Sequence, residues 1–316
     1  MKVLLFGCGG QVGWELQRSL APLGTLIVLD FDPCANPDPE GSGQPLCGDF
    51  SNLTGLADTI RRVQPDVIVN AAAHTAVDKA EAEPEFARTL NALAPAVLAR
   101  EASRCGAWLV HYSTDYVFNG SGKQPWLETD APAPLNVYGT TKLEGEQAVA
   151  TCAKHLILRT SWFYAARGVN FARTMLRLAT EREALTVISD QIGAPTSAEL
   201  LADVTAHAIR SALHNHDLAG LYHCVASGET SWHSYAQYVL QQAHALGWTL
   251  KASADTVSPI LTSAYPTPAQ RPLNSRLNCS KLSHAFGLTM PPWQLGVQRM
   301  LTEISGNNSK CKNLLI

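Results

Sequence analysis

Tyr138 and Lys142 stand four residues apart in the stretch Leu135-Asn-Val-Tyr-Gly-Thr-Thr-Lys-Leu-Glu-Gly-Glu146. On a helix that spacing puts both side chains on one face, with Cβ atoms about 5–6 Å apart. An ammonium held beside a phenol favours the phenolate. The phenol then moves from its ordinary pKa near ~10 towards the working pH and can hand a proton to a carbonyl oxygen. The same pair is common on solvated helix faces, so its meaning depends on its surroundings. Thr114 supplies a second group. It lies just past the apolar run 107–112, where its hydroxyl could hold a carbonyl oxygen, and Asp115 follows it.

A third constellation is built for a flat, phosphate-bearing ligand. Residues 2–6 form a continuous apolar run, as a buried parallel strand does. The chain continues through Gly7-Cys-Gly-Gly10-Gln-Val-Gly13 into a helical pattern. Glycines at 7, 10 and 13 allow a tight turn and close approach of backbone, with Gln11 and Val12 opening a helix whose N–H groups meet a pyrophosphate. Asp30 ends the next apolar run, seventeen residues beyond Gly13. There it is either the acid that meets an adenosine ribose, favouring NAD over NADP, or a plain strand-end carboxylate. Asp49 and Phe50 close a third short strand and are placed to meet the adenine. Ala71, Ala72 and Ala73 follow the apolar run 65–69 and leave room for a ligand against backbone.

The elements that must position these groups alternate. Apolar runs at 2–6, 26–29, 65–69, 107–112 and 155–158 are separated by helical patterns, including an alanine-rich one over 84–104. That alternation predicts an α/β fold with a Rossmann-like doubly wound parallel sheet and a smaller C-terminal α/β region. Residues 1–162 are expected to form the dinucleotide-binding domain and 163–304 mainly the substrate-binding region. Residues 305–316 are expected to form a flexible tail, and 31–46 a surface loop. Hydrophobic residues make up 46% and charged residues 16%, with a net charge of −3, which gives no sign of nucleic acid or anionic membrane as partner. Eight cysteines without a Cys-x-x-Cys pair read as reduced thiols of a cytoplasmic protein. No apolar run reaches membrane-spanning length, and the chain opens directly on a strand, so no secretory leader is expected.

The glycine turn, the alanine run, Thr114 and Tyr138-x-x-x-Lys142 occur in the order found in the extended short-chain dehydrogenase/reductases, which the chain resembles. Longer phrases sharpen the resemblance to the dTDP-4-dehydrorhamnose reductase family. They are Val69-Asn-Ala-Ala-Ala-His-Thr-Ala-Val-Asp-Lys-Ala-Glu81, Tyr112-Ser-Thr-Asp-Tyr-Val-Phe118, Arg159-Thr-Ser-Trp162, Gly193-Ala-Pro-Thr196 and Arg271-Pro-Leu-Asn-Ser-Arg-Leu277. The likeness runs from about residue 1 to 303; the 31–46 loop, longer than is usual in the family, and the polar tail depart from it.

The resemblance implies hydride transfer from NADPH or NADH to C4 of a dTDP-4-keto-6-deoxy-L-sugar, a step towards cell-surface polysaccharide. By that resemblance Tyr138 is the acid, Lys142 holds the nicotinamide ribose and tunes Tyr138, and Thr114 anchors the carbonyl oxygen. Trp162 packs on sugar or base beside Asp115, while Arg271 and Asn274 reach the diphosphate. Some relatives carry Mg²⁺ at a homodimer interface. Glu15, Glu199 and Asp203 are the carboxylates here that could serve, or they are a solvated helical face. Two rivals remain at this point. A nucleotide-sugar dehydratase or epimerase shares the scaffold, but a dehydratase needs a carboxylate where Tyr116 stands. A non-catalytic NADP-binding regulatory subunit shares the resemblance without the chemistry.

Overall fold

A computed structural model describes residues 1–32, 36–37 and 44–312, with side chains to 306. Much of the expected 31–46 loop, at 33–35 and 38–43, and the end of the tail at 313–316 lie outside the described residues. The chain starts with β1 (Lys2–Phe6), α1 (Gln11–Leu20), β2 (Thr25–Leu29), α2 (Leu53–Val63) and β3 (Val67–Asn70). Two short helices, α3 (Val77–Ala82) and α4 (Pro84–Arg88), lead to α5 (Ala94–Cys105), β4 (Trp108–Thr114), α6 (Val137–Val149) and β5 (His155–Thr160).

Six parallel strands make the central sheet, in the order β2-β1-β3-β4-β5 and then a strand that returns from far along the chain, Gly220–His223. The two neighbours of β1 lie on opposite sides of it, so the crevice where ligands bind an open α/β sheet opens at the carboxyl ends of β1 and β3. Nearly every residue of β1, β3, β4 and β5 is buried, because helices cover both faces. Leu16 and Leu20 of α1 pack one face with Val3 and Leu5; Leu56 and Ile60 of α2 pack the other with Leu4 and Phe6.

The second half adds β6 (Phe163–Tyr164), α7 (Phe171–Glu181), β7 (Leu185–Ile188), β8 (Ile192–Gly193), β9 (Thr196–Ser197) and α8 (Ala198–His214). The returning strand is β10 (Gly220–His223), followed by β11 (Thr230–Ser231), α9 (Trp232–Ala245), β12 (Val257–Ile260), α10 (Ser280–Phe286) and α11 (Trp293–Lys312). A separate core of Leu176, Leu185, Tyr235, Val239 and Trp293 holds α7, α9 and α11 together. A division at 162 is not clean, since α8 lies on α1 and β10 completes the sheet of the first half.

Three expectations need correction. No strand forms at 44–49; that stretch is extended coil whose Cys47 N–H bonds the Thr59 hydroxyl at 2.7 Å. The 84–104 helix is interrupted by a π-helical turn, Thr89–Leu93, next to Pro95, whose ring removes a helical donor. The tail is helical through Lys312.

Candidate active site

The sheet edge brings the expected groups to one crevice. Thr114 ends β4, and Tyr138 enters from the first turn of α6, whose start is fixed by the Asn136 side chain accepting the Gly139 N–H at 2.8 Å. Both line a cavity of about 310 Å³ together with Gln11, Asp115 and Trp162. Buried side-chain oxygens without a hydrogen-bond partner cluster on the same walls: Ser113 Oγ, Asp115 Oδ2, Thr160 Oγ1, Ser161 Oγ and the Tyr235 hydroxyl. Orphaned polar atoms are costly in a core, so a ring of them around one void marks a place where a polar ligand completes the bonding. An aromatic wall closes one side. Trp162, in the left-handed region at φ 48°, stacks on Trp232 at 3.7 Å, and Phe171 lies against Trp232 at 4.5 Å.

The glycine turn fits a dinucleotide. Gly7 has φ 78°, and a Cβ there would sit 2.7 Å from the Ala72 nitrogen. A Cβ on Gly13 would sit 2.0 Å from the Gly7 oxygen. Gly10 caps α1 with no side chain over the first-turn N–H groups, which leaves them for a phosphate. Ala71, Ala72 and Ala73 border the turn at the end of β3, each half-buried. Asp30 ends β2, with Oδ1 on the Phe31 N–H at 2.8 Å. The Val12 side chain turns into the core.

Other expected residues are otherwise engaged. Asp49 takes the Ser51 N–H and hydroxyl on its oxygens at 2.8 Å and 2.9 Å, ordering the turn before α2, and stays half-buried with lone pairs left for a further donor. Phe50 is 4% exposed and meets Phe6 edge-on beside the end of β1. Asn274 is 1% exposed; its Nδ2 donates to the carbonyls of Ser121 and Gln124 and its Oδ1 accepts from Arg276, so it fastens a loop. Arg271 forks onto Asp78 at 2.7 Å and 3.1 Å beside Tyr116. The carboxylate trio has partners within the chain as well. Asp203 turns to Arg18 and Ser19, and Glu199 pairs with Arg299 at 2.8 Å. Glu15 shares a narrow recess with Glu199 and Glu303, and burial and Glu199 push its carboxyl up. Among the described residues no ready-made metal cluster forms within one chain, while the expected Mg²⁺ lies between two chains, and the recess gathers three carboxylates that could face a partner.

The electrostatics also differ from the first expectation. Burial pushes the Tyr138 phenol above its ordinary pKa, and the Thr114 hydroxyl draws it partway back. Lys142 is 3% exposed, and its Nζ donates to the Tyr112 carbonyl at 2.6 Å rather than reaching the phenol. Burial lowers the Lys142 ammonium to about 8, with Glu146 opposing. Asp115 is raised to about 7 by burial, with the Ser275 and Thr114 hydroxyls opposing.

Sequence reasoning did not single out Ser113, Thr160 and Ser161, although each stood inside a quoted phrase. Their place at the carboxyl ends of β4 and β5, the ligand-binding edge of an open α/β sheet, was the available signal. Trp232 and Tyr235 carried none, because they come from a helix far along the chain.

The family described as RmlD substrate binding domain matches residues 1–305. The dTDP-4-dehydrorhamnose reductase of Escherichia coli (strain K12) is 60% identical over 305 residues, 96% of this chain and 98% of that protein. A solved dTDP-4-dehydrorhamnose reductase from Clostridium acetobutylicum superposes with TM-score 0.83 at 32% identity, covering 96% of this chain and 99% of that one. The same enzyme from Bacillus anthracis, solved in complex with NADP, gives 0.82 at 34% identity, covering 96% and 99%.

Proposed function

The chain belongs to the RmlD substrate-binding family of dTDP-4-dehydrorhamnose reductases, and on that premise we propose that it reduces the C4 keto group of dTDP-4-dehydro-β-L-rhamnose to dTDP-β-L-rhamnose. One observation carries the reading to this chain: Thr114 and Tyr138 face a single void, lined with unpartnered polar atoms, at the mouth of an uncapped glycine turn.

NADPH or NADH, held by the Gly7–Gly13 turn and the Ala71–Ala73 backbone, supplies the hydride when bound. The remaining steps belong to the chain. The Thr114 hydroxyl donates to the keto oxygen where negative charge develops. Tyr138 gives its proton to that oxygen as the alcohol forms. Lys142 holds the ribose hydroxyls and supports the phenol. The aromatic wall of Trp162, Trp232 and Phe171 packs on the sugar and keeps water from it. Arg271 meets the diphosphate by exchanging its Asp78 partner for it, since its forked donors suit either anion.

The reading includes a cytoplasmic homodimer, the expectation that follows from the resemblance. Sedimentation of the purified chain with and without exhaustive chelation checks the dimer and the Mg²⁺ expected between its subunits; an unchanged oligomer and unchanged activity would remove the metal. Asp30 favours NADH on simple charge grounds, while relatives use either nucleotide, so kcat/KM is to be compared for both. The function itself is tested by following NADPH oxidation with dTDP-4-dehydro-β-L-rhamnose and identifying the product sugar. Formation of dTDP-β-L-rhamnose supports the reading. Absence of nucleotide oxidation from folded, NADPH-binding protein that co-purifies with a larger partner would replace it with a regulatory subunit.

A further inference from the structure

Beneath the active helix, Lys142 meets a side chain that the mechanism above leaves unused. His111 of β4 lies directly opposite Asn70 of β3 and is 1% exposed. The Asn70 amide has one orientation. Its Oδ1 accepts the Ala72 N–H at 3.0 Å, so Nδ2 is the atom that faces His111 Nδ1, also at 3.0 Å. An amide nitrogen only donates, so Nδ1 must accept, and the single proton of the neutral ring sits on Nε2. Burial, with Lys142 beside it, keeps the ring neutral.

His111 Nε2 lies 3.5 Å from Lys142 Nζ. An ammonium and an N–H meet there hydrogen to hydrogen. The approach is accordingly long, against 2.6 Å from Nζ to the Tyr112 carbonyl oxygen. A neutral amine would turn its lone pair to the same N–H and accept it. The contact therefore disfavours the charged lysine and favours the neutral one.

We propose that His111, its tautomer set by Asn70, is a positioning residue for this reaction: it holds Lys142 against the Tyr112 carbonyl and weakens its ammonium, so that the lysine gives up a proton readily while it serves Tyr138. The proposal rests on the role of Lys142 in the proposed function. The other groups around the amine do not replace this contact. On α6, Glu146 favours the ammonium but is itself held by Arg159 of β5 at 2.6 Å and 2.8 Å. From the remaining elements packed on α6, Glu81 takes the Val137 N–H at the far end of the helix, and Arg88 pairs with Glu144. Glu101 of α5 pairs with Arg61 of α2. Asp115, past β4, bonds Thr114.

The unaltered chain gives the first test. Nitrogen NMR of histidine-labelled protein is expected to show His111 with Nε2 protonated and Nδ1 bare across neutral pH. An Nδ1–H tautomer or a charged ring overturns the proposal. The second test follows the titration of Lys142 Nζ in lysine-labelled protein, the signal being assigned by its loss in Lys142→Arg. His111→Phe removes the opposing N–H. Asn70→Asp keeps an acceptor for Ala72 but accepts from Nδ1, so it turns a bare Nε2 towards the amine. Each is expected to raise the Lys142 titration by about one pH unit and to carry the alkaline limb of kcat/KM up with it. A purely structural role would lower stability or rate in His111→Phe without moving either titration; Asn70→Asp adds a carboxylate that itself favours the ammonium, so His111→Phe is the deciding variant. An unchanged lysine titration in folded His111→Phe overturns the proposal, whichever sugar proves to be the substrate.

Discussion

Thr114 makes two local bonds, to Asp115 Oδ1 and from the Tyr116 N–H, both at 3.2 Å, and both long enough to yield to a better partner. Thr114→Val keeps the shape of the side chain and removes the donor. It is expected to lower kcat about 10²-fold while leaving nucleotide affinity unchanged, as measured by steady-state rates and fluorescence titration. Asp115 makes a separate prediction. Its carboxyl titrates near ~3.9 in an unfolded chain but at about 7 in the fold, so the native state binds the proton more tightly. That contribution is complete below about pH 4 and is lost as pH rises through about 7. Asp115→Asn stays neutral throughout, so its Tm relative to the unaltered chain should improve between about pH 5 and about pH 8. Equal Tm differences at both would contradict the buried, raised carboxyl. At this scale residue type was legible in the sequence and partnership was not. The local partners of Asp49, Phe50 and Asn274, which are Ser51, Phe6 and two loop carbonyls, could not be read from residue type. Those partners are set by tertiary packing, which spacing along the chain does not encode.

At the scale of elements, α6 matters most because it carries both Tyr138 and Lys142. It is moored at three places. Asn136 caps it. Gly145 lets it lie flush on the π-helical turn, where a Cβ would sit 2.1 Å from the Asn91 oxygen. The pair Glu146–Arg159, with side chains 5% and 4% exposed, ties it to β5. A buried pair contributes little over an apolar substitute, but removing one member strands the other charge. Glu146→Gln is therefore expected to cost about 3–5 kcal/mol, read as a lower denaturant midpoint, with a fall in kcat as α6 loosens. A midpoint within error of the unaltered chain would show that the helix is held by packing alone. The long periodic helices and the continuous apolar strands were legible because burial imposes those patterns. The missing strand at 44–49 was not, because it lacks the apolar run of its neighbours and no sheet edge receives it. The break at 89–93 had a signal in Pro95 that helical alternation masked.

Across the whole molecule, the cleft depends on the chain returning on itself. β10 completes the sheet beside β5, α8 covers α1, and α9 brings Trp232 and Tyr235 to a void whose floor was built by the first half. A linear split at residue 162 could not anticipate that, whereas the crevice at the ends of β1 and β3 followed from strand order and the glycine turn. Among the described residues no helix is long and apolar enough to cross a membrane. On the proposed reading the whole arrangement converges on one act, delivery of a proton from Tyr138 to a keto oxygen as hydride arrives. The most direct measurement compares unaltered protein with Tyr138→Phe, following NADPH oxidation by dTDP-4-dehydro-β-L-rhamnose and NADPH binding in the same preparations. The account predicts a loss in kcat of about 10²–10⁴-fold with nucleotide affinity nearly unchanged. Near-normal turnover by Tyr138→Phe would contradict it.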